Sequence, residues 1–221
     1  MTIKKLVVNP LQENCYILHE GDDAPCVIVD CGAMWPDEDE AIATYIRQHG
    51  LRPEAHLLTH AHFDHCWGAG FLFEEYGIGP RMHPADADIY THLDQQTRML
   101  IGTPYTGTIA PLAEPILAET VITLARHDIT VIPTPGHTRG GVCYLLADEG
   151  VLFSGDTLFC GSVGRTDFPG GSTDELLCSL QTLCQRLVPE GGPVPAVTIY
   201  PGHGPATTIE AEMRTNPYLR G

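Results

Sequence analysis

This sequence is poor in lysine and in positive charge of any kind. Its 221 residues include only two lysines, Lys4 and Lys5, and ten scattered arginines, and the formal net charge is −16. Proteins that bind nucleic acid need clustered basic side chains that neutralise phosphates. The charge balance therefore argues against a nucleic-acid partner.

Long apolar runs are also absent. No run approaches the roughly 20 residues that a membrane-spanning helix needs. The stretch 1–10 contains two lysines, but its apolar part is too short for a secretory signal and reads as a first β-strand. We therefore expect a cytoplasmic protein without membrane association. Hydrophobic residues make up 43% of the chain and charged residues 18%, which are globular values.

None of the eight cysteines forms a Cys-x-x-Cys pair, the spacing that is typical of redox motifs and zinc sites. Without a secretory signal, we expect all eight to be reduced thiols. Cys66 needs separate consideration, because it directly follows a candidate metal ligand, His65. A thiolate there could bind a metal, but a small packed side chain is the favoured interpretation.

The segment His60-Ala61-His62-Phe63-Asp64-His65 is the most informative part of the chain. Three imidazoles and one carboxylate fall within six residues. They follow the apolar stretch Ala55–Leu58, which we interpret as a buried strand that runs into a loop. Imidazole and carboxylate ligands together suit zinc or iron. The segment therefore predicts a metal site at the end of a strand.

The same pattern occurs three more times downstream. In each case a β-branched or aromatic strand leads to a glycine turn with one His or Asp at its end. Glycine permits the tight turns and close backbone approach that such a site requires. A single strand-end His is more often structural than a ligand, but the repetition favours a shared metal site. The residues concerned are His137, Asp156 and His203.

In type and order, these seven residues resemble the motif set of the metallo-β-lactamase superfamily, and the resemblance runs from Ile3 to about Leu219. It implies an α+β fold, an αββα four-layer sandwich, in a single domain over residues 1–221. It also implies two divalent metal ions, with zinc as the first choice and iron or manganese as possible substitutes. By this resemblance the ligands are His60, His62 and His137 for the first metal, Asp64, His65 and His203 for the second, and Asp156 as a bridge.

Within the superfamily, the chain is most similar to short, single-domain glyoxalase II-like hydrolases. The runs that carry this similarity are 154–159, 164–172, 201–205 and 215–217. The resemblance implies hydrolysis of a glutathione thioester such as S-D-lactoylglutathione, by attack of a metal-bound hydroxide. Asp64 and Asp156 are then the catalytic carboxylates, and Asp64 could both ligate a metal and orient the nucleophile. A thiolate with a pKa of about 8.5 leaves without much help, so a thioester is favoured over an amide.

Two other interpretations remain open at this point. A different thioester or an ester is a further substrate class. Persulfide dioxygenases share the fold and the run Gly164–Phe168, and resemble a mononuclear iron site that here would consist of His60, His137 and Asp156. The runs 168–171 and 202–205 look more like the hydrolases, so we prefer hydrolysis. A non-catalytic metal-binding module is the least favoured.

The residues that contact the substrate are harder to predict from the sequence than the metal ligands. Arg139 and Arg165 are the candidates, because each lies near a predicted ligand or the glycine-rich run after Asp156. The irregular segment 84–126 either shapes a substrate pocket or is a surface connection with one or two helical turns. The chain ends soon after Asn216-Pro217, without the C-terminal helical domain of longer glyoxalase II enzymes, so we expect a high KM for lactoylglutathione.

Overall fold

The computed structural model describes residues 1–118, 120–188, 191 and 194–220. The chain divides into two compact units, Met1–Ile116 and Leu117–Gly221. Each unit has its own sheet, its own helices and its own buried hydrophobic cluster. Among the described residues, no helix has the length and apolar character needed to cross a membrane.

The first unit is built on a mixed sheet of five strands in the order β1-β2-β3-β4-β5. The pairs β1/β2 and β2/β3 are antiparallel, whereas β3/β4 and β4/β5 are parallel. The side chains of β2 are buried along its whole length, as expected for an inner strand. The strands are β1 (Thr2–Val8), β2 (Glu13–His19), β3 (Pro25–Val29), β4 (Arg52–Leu57) and β5 (Pro80–Arg81).

Five α-helices and one 3-10 turn, Pro84–Asp86, belong to the first unit. Local hydrogen bonds explain where α1 begins. Glu38 turns back to accept hydrogen bonds from the backbone N–H groups of Met34, at 2.7 Å, and Trp35, at 3.3 Å, which otherwise have no helical partner. The helices are α1 (Pro36–Gln48), α2 (Phe63–Cys66), α3 (Ala69–Tyr76), α4 (Ala87–Thr91) and α5 (Leu93–Ile101).

The second unit contains a mixed sheet of six strands in the order β13-β12-β9-β8-β7-β6, and a short β10-β11 hairpin. Only β9 and β12 run parallel within the larger sheet, so their carboxyl ends lie at the same edge. The strands are β6 (Val121–Leu124), β7 (His127–Pro133), β8 (Val142–Leu146), β9 (Val151–Gly155), β10 (Leu158–Phe159), β11 (Ser162–Val163), β12 (Thr198–Pro201) and β13 (Thr207–Thr208).

Two helices complete this unit, α6 (Thr173–Leu187) and α7 (Ile209–Thr215). The Ser172 hydroxyl caps α6 by accepting a hydrogen bond from the Glu175 N–H at 3.3 Å. Leu176, Leu180 and Leu183 line the buried side of α6 and pack with Ile132 and Ile199 of the sheet. This amphipathic packing fixes α6 against the strands that carry the second group of predicted ligands.

The segment 84–126 is more ordered than its sequence suggests. It contains the 3-10 turn, α4, α5 and the edge strand β6, with Glu119 outside the described residues. Tyr90 and Leu93 are fully buried there, and the Tyr90 hydroxyl donates to the Ala110 carbonyl at 2.9 Å. These tertiary contacts stabilise helices that are too short to persist alone.

Candidate metal centre

The loop after β4 and the short helix α2 bring the first four predicted ligands together. The ring centroid of His60 lies 4.9 Å from that of His62 and 4.1 Å from that of His65. Asp64 Oδ2 is 4.0 Å from His65 Nε2. All four side chains are buried, and His65 has no exposed surface. The spacing of this segment therefore produces one compact group, as the sequence predicts.

Asp30 orients two of these imidazoles. Its Oδ2 accepts from His65 Nδ1 at 3.0 Å and from the Thr59 hydroxyl at 2.8 Å. Because that hydroxyl donates to Asp30, its oxygen is available to accept from His60 Nδ1, which lies 3.2 Å away. Both rings thus carry their proton on Nδ1, which leaves Nε2 as the atom that could bind a metal. A carboxylate that holds an imidazole in this way is the usual outer partner of a metal-binding histidine.

Asp30 was not among the predicted site residues, although part of the signal is present in the sequence. It stands directly after β3 and two residues before Gly32, a strand-end position like those of the other sites, where the glycine instead precedes the candidate ligand. Its backbone φ is +53°, a left-handed conformation that Asp tolerates better than most residues. The Thr59 N–H donates to its other carboxylate oxygen at 2.8 Å and so holds the side chain in place.

Gly32 allows the ligand helix to pack closely on the strand end. A Cβ at this position would lie 1.6 Å from the Asp64 carbonyl oxygen, which no side chain can accommodate. Asn9 spans the same contact, because its Nδ2 donates to the carbonyls of Gly32, at 3.0 Å, and Asp64, at 2.9 Å. Asn9, which lies in the β1–β2 turn, therefore holds the backbone of α2 in place through these hydrogen bonds.

Glu13 is a second buried acid that the sequence analysis did not single out. Its Oε2 accepts from the Gly32 N–H at 3.0 Å, while its buried Oε1 has no hydrogen-bond partner in the described part of the chain. Burial raises the pKa of this carboxyl well above its ordinary value. Glu13, Asp30 and His65 each bring one donor atom within 4.8 Å of the others. Burial therefore disfavours a second negative charge beside Asp30.

The segment around α4 and α5 braces the ligand loop. Asp86, which is fully buried, accepts from the Ala61 N–H at 3.1 Å. Gln96 accepts from the Phe63 N–H at 3.2 Å and donates to the Ala61 carbonyl at 3.3 Å. These contacts give the segment a role that neither earlier interpretation named, because its residues Asp86 and Gln96 support the ligand loop within the first unit.

Cys66 behaves as a packed thiol. It is fully buried, and its Sγ lies 3.2 Å from the His62 carbonyl oxygen, to which it donates. Burial, and next the charge of Asp64, raise the pKa of this thiol. A protonated, buried thiol is a poor nucleophile and a poor metal ligand. All eight cysteines are free in the structure.

The second unit gathers its three predicted ligands around Asp156, at the end of β9. Asp156 Oδ2 lies 3.5 Å from His137 Nε2 and 3.7 Å from His203 Nε2. The Gly202 N–H donates to the Gly155 carbonyl at 2.9 Å, which joins the ends of the parallel strands β9 and β12. The repeated strand-end pattern thus converges on one carboxylate in this unit.

Two close backbone contacts set the orientation of His137. Its Nδ1 donates to the Arg165 carbonyl at 2.6 Å, which again leaves Nε2 as the candidate ligand atom. A Cβ on Gly164 would lie 1.9 Å from the Asp156 carbonyl oxygen and 3.1 Å from His137 Nδ1. The glycine that opens the run 164–172 is therefore required for the approach of these two loops.

The two predicted substrate contacts differ in their surroundings. The Arg165 guanidinium binds Asp167 through two hydrogen bonds, at 2.7 and 2.6 Å, and stacks over the Phe168 ring at 3.8 Å. This pairing raises the pKa of Arg165 and lowers that of Asp167 to about 2. Arg139 is exposed. Arg165 is held by its neighbours, whereas Arg139 projects towards solvent.

The donor set suits divalent metals. All seven predicted ligands belong to groups of side chains that could hold a metal ion. Five imidazoles and two carboxylates form a borderline-soft set, which zinc, iron and manganese all accept. Three of the imidazoles use Nδ1 in a hydrogen bond, so Nε2 is the nitrogen that each could offer to a metal. The residues present therefore fit a His-rich, buried metal site.

Comparison with protein-family models identifies the fold. Residues 8–203 match the model of the metallo-beta-lactamase superfamily. The chain belongs to the metallo-beta-lactamase superfamily. The two mixed sheets with flanking helices are the fold of that superfamily. Its membership of the superfamily and its group of potential metal ligands place this protein among the metal-dependent hydrolases of this fold.

Individual superfamily members are similar over almost their whole length. Hydroxyacylglutathione hydrolase GloC of Haemophilus influenzae is 30% identical over 220 residues, which cover 99% of this chain and 98% of that one. The crystal structure of BLEG-1, a B3 metallo-beta-lactamase, is 36% identical with a TM-score of 0.85 and full coverage of both chains. TTHA1623, solved in a di-iron-bound form, is 35% identical with a TM-score of 0.82, and covers 98% of this chain and 100% of its own.

Proposed function

We propose that this protein hydrolyses a glutathione thioester such as S-D-lactoylglutathione, with two divalent metal ions as cofactors. The observation that carries the proposal is the pair of ligand groups, a buried one around His60 and His65 and a partly buried one around Asp156. The full-length similarity to GloC, a hydroxyacylglutathione hydrolase, supports the substrate class.

In this proposal the seven ligands divide between two ions, with His60, His62 and His137 on the first, Asp64, His65 and His203 on the second, and Asp156 on both. Zinc is our first choice. The di-iron form of TTHA1623 supports iron as the alternative at a related site. When bound, two such ions supply hydroxide near neutral pH and stabilise negative charge on a carbonyl oxygen.

The protein's own residues have distinct tasks. The two carboxylates, Asp64 and Asp156, hold negative charge at the site, and Asp64 accepts a hydrogen bond from the attacking water and so orients it. Asp30 keeps the rings of His60 and His65 in one tautomer. The thiolate leaves without protonation, because an ordinary thiol has a pKa of about 8.5.

Arg139 and Arg165 are the proposed contacts for the carboxylates of glutathione. Arg139 is the stronger candidate, since it is exposed and its guanidinium can reorient. Arg165 already shares its charge with Asp167 at 2.6 Å. A substrate carboxylate would compete with that pairing, so we expect Arg165→Ala to raise KM less than Arg139→Ala does.

The decisive experiment measures three reactions on metal-loaded protein. Lactoylglutathione should release free thiol, detected with a thiol reagent, while an oxygen electrode records no uptake. Oxygen uptake with glutathione persulfide and no thioester turnover would assign the protein to the dioxygenases.

The likeness to BLEG-1 makes a β-lactam the second candidate substrate, tested with a chromogenic cephalosporin. Hydrolysis of a β-lactam breaks a bond to an amine nitrogen, which is a poorer leaving group than a thiolate. We therefore rank the β-lactam below the thioester.

A further inference from the structure

Glu212 of α7 joins two separate segments of the second unit. Its side chain is buried, and both of its carboxylate oxygens accept hydrogen bonds. Oε2 accepts from the backbone N–H of Gly161 at 2.9 Å, and Oε1 accepts from the Thr207 hydroxyl at 2.6 Å. Gly161 lies in the turn of the β10–β11 hairpin, and Thr207 begins β13. Because buried hydrogen bonds are costly to break, Glu212 fixes both segments relative to α7.

Asn216, directly after α7, holds the same hairpin at a second point. It is fully buried, and its Nδ2 donates to Glu212 Oε2 at 2.8 Å and to the Ser162 carbonyl at 3.1 Å. Its Oδ1 accepts from the Tyr218 N–H at 3.0 Å. Asn216 belongs to the run 215–217, which resembles the glyoxalase II-like hydrolases, yet no step of the proposed reaction involves it. Its contacts instead give it a supporting role beside Glu212.

The hairpin adjoins two of the predicted metal ligands. Its first strand begins two residues after Asp156, and the Ser154 hydroxyl donates to the Leu158 carbonyl at 2.7 Å. Phe159, on the same strand, packs edge-to-face with His203, with ring centroids 6.1 Å apart and an interplanar angle of 82°. Such a contact favours one orientation of the imidazole over others. The position of the hairpin therefore affects the ring of His203.

The loop that carries His203 is held on both sides. Before His203, the Gly202 N–H donates to the Gly155 carbonyl at 2.9 Å. After it, β13 pairs with β12, and Thr207 donates to Glu212. The His203 side chain is 24% exposed, so packing constrains it less than it constrains a fully buried ligand. Glu212 thus fixes both the strand that follows His203 and the hairpin whose aromatic ring packs on it.

We propose that Glu212 and Asn216 are positioning residues that set the orientation of the His203 ring for metal binding. Glu212 acts on one side through Thr207 and β13, and both residues act on the other side through the hairpin and Phe159. The role of His203 as a metal ligand is itself part of the proposed function, whereas the identity of the substrate is not involved. Outer partners of a metal-binding histidine typically change metal affinity by about 10- to 100-fold.

The test is cobalt(II) binding to the full-length protein, measured by chelator competition and by the visible absorption spectrum, which reports ligand geometry. Cobalt(II) accepts the same imidazole and carboxylate ligands. Glu212→Ala should weaken cobalt binding by about tenfold or more and change the spectrum. Glu212→Gln should restore the spectrum and an affinity within about twofold of wild type, because its amide oxygen can accept from Gly161 and its nitrogen can donate to the Thr207 hydroxyl.

Two further variants complete the experiment. Glu210→Ala is the matched control, because it removes an exposed glutamate from the same helix, and it should leave the affinity and the spectrum unchanged. Phe159→Leu keeps the hydrogen bonds of Glu212 and Asn216 but removes the ring contact with His203, so it should weaken cobalt binding by about threefold or more. It keeps the proposal falsifiable if Glu212→Ala folds poorly.

Wild-type affinity and spectrum in Glu212→Ala, or in Phe159→Leu, would overturn the positioning role. Equal losses in Glu212→Gln and Glu212→Ala would show that charge matters and geometry does not, and would also overturn it, as would absence of cobalt binding by the wild type. Lactoylglutathione hydrolysis is measured separately. A wild-type protein that shows the expected cobalt results and does not hydrolyse this thioester would contradict the proposed substrate and support the positioning of His203.

Discussion

His56 should make the first unit sensitive to acid, and His56→Leu should remove that sensitivity. His56 lies in β4, between Ile28 of β3 and Pro80 of β5, and its side chain is fully buried. Neither ring nitrogen has a hydrogen-bond partner among the described residues. Burial lowers the pKa of this imidazole from its ordinary value of 6.5 to about 3.

The sign of the effect follows from where the proton binds. Below pH 6.5 the unfolded chain protonates His56, whereas the folded chain keeps it neutral down to about pH 3. The free energy of unfolding therefore falls as the pH drops through this window. Between pH 7.5 and pH 5 the loss from this one group is about 2 kcal/mol, because each unit of pH contributes about 1.4 kcal/mol once the unfolded state is protonated.

The assay is urea denaturation of wild type and His56→Leu at pH 7.5, 6 and 5, followed by far-ultraviolet circular dichroism. Leucine is close to histidine in volume and leaves no unpaired buried nitrogen, so the variant should be at least as stable at pH 7.5. At pH 5 its advantage should have grown by about 2 kcal/mol. All other residues are the same in both proteins, so the difference isolates His56. Parallel stability curves for the two proteins would refute the reasoning.

Three further results are expected. Asp156→Ala should lose bound metal and most activity, whereas His92→Ala, at an exposed site, should lose neither; full metal content by elemental analysis in the Asp156 variant would contradict its bridging role. Asp30→Asn removes the charge that orients His65 and should lower metal affinity about 10- to 100-fold in chelator competition. Asp88→Asn, which breaks an exposed Asp–His pair at 3.3 Å, is its control and should leave that affinity unchanged. Thiol titration of denatured, unreduced protein should find close to eight thiols; a count near zero would mean disulfides and would contradict a cytoplasmic location.

The seven candidate ligands could be recognised in the sequence because four are clustered in residues 60–65 and the other three follow strands beside a glycine. A strand, a glycine and a candidate ligand are all local sequence features, so their pattern can be recognised without knowledge of the tertiary structure. Asp30 also directly follows a strand, β3, and has a glycine nearby, Gly32. It was missed because its glycine follows it, whereas a glycine directly precedes His137, Asp156 and His203.

Other features depend on contacts between distant parts of the chain. In the sequence, Glu13 looks like a surface acid in a polar turn. In the structure it is buried, and it accepts a hydrogen bond from the Gly32 N–H, which lies 19 residues away in the chain. The helices of segment 84–101 are short and mixed in composition, and they owe their order to buried Tyr90 and Leu93. Sequence periodicity cannot reveal stability that comes from tertiary packing. The pairing of Arg165 with Asp167 is likewise a property of the folded loop.

The brace on the ligand loop has a consequence for protein engineering. Loop exchange is a common way to change the specificity of a scaffold, and segment 84–109 looks like an attractive graft site. Asp86 and Gln96, however, hydrogen-bond to the backbone of Ala61 and Phe63 beside the metal ligands. A graft that replaces them would loosen the ligand loop along with the surface. Library diversity is better confined to residues 102–104, which are exposed, with Asp86 and Gln96 kept as invariant anchors.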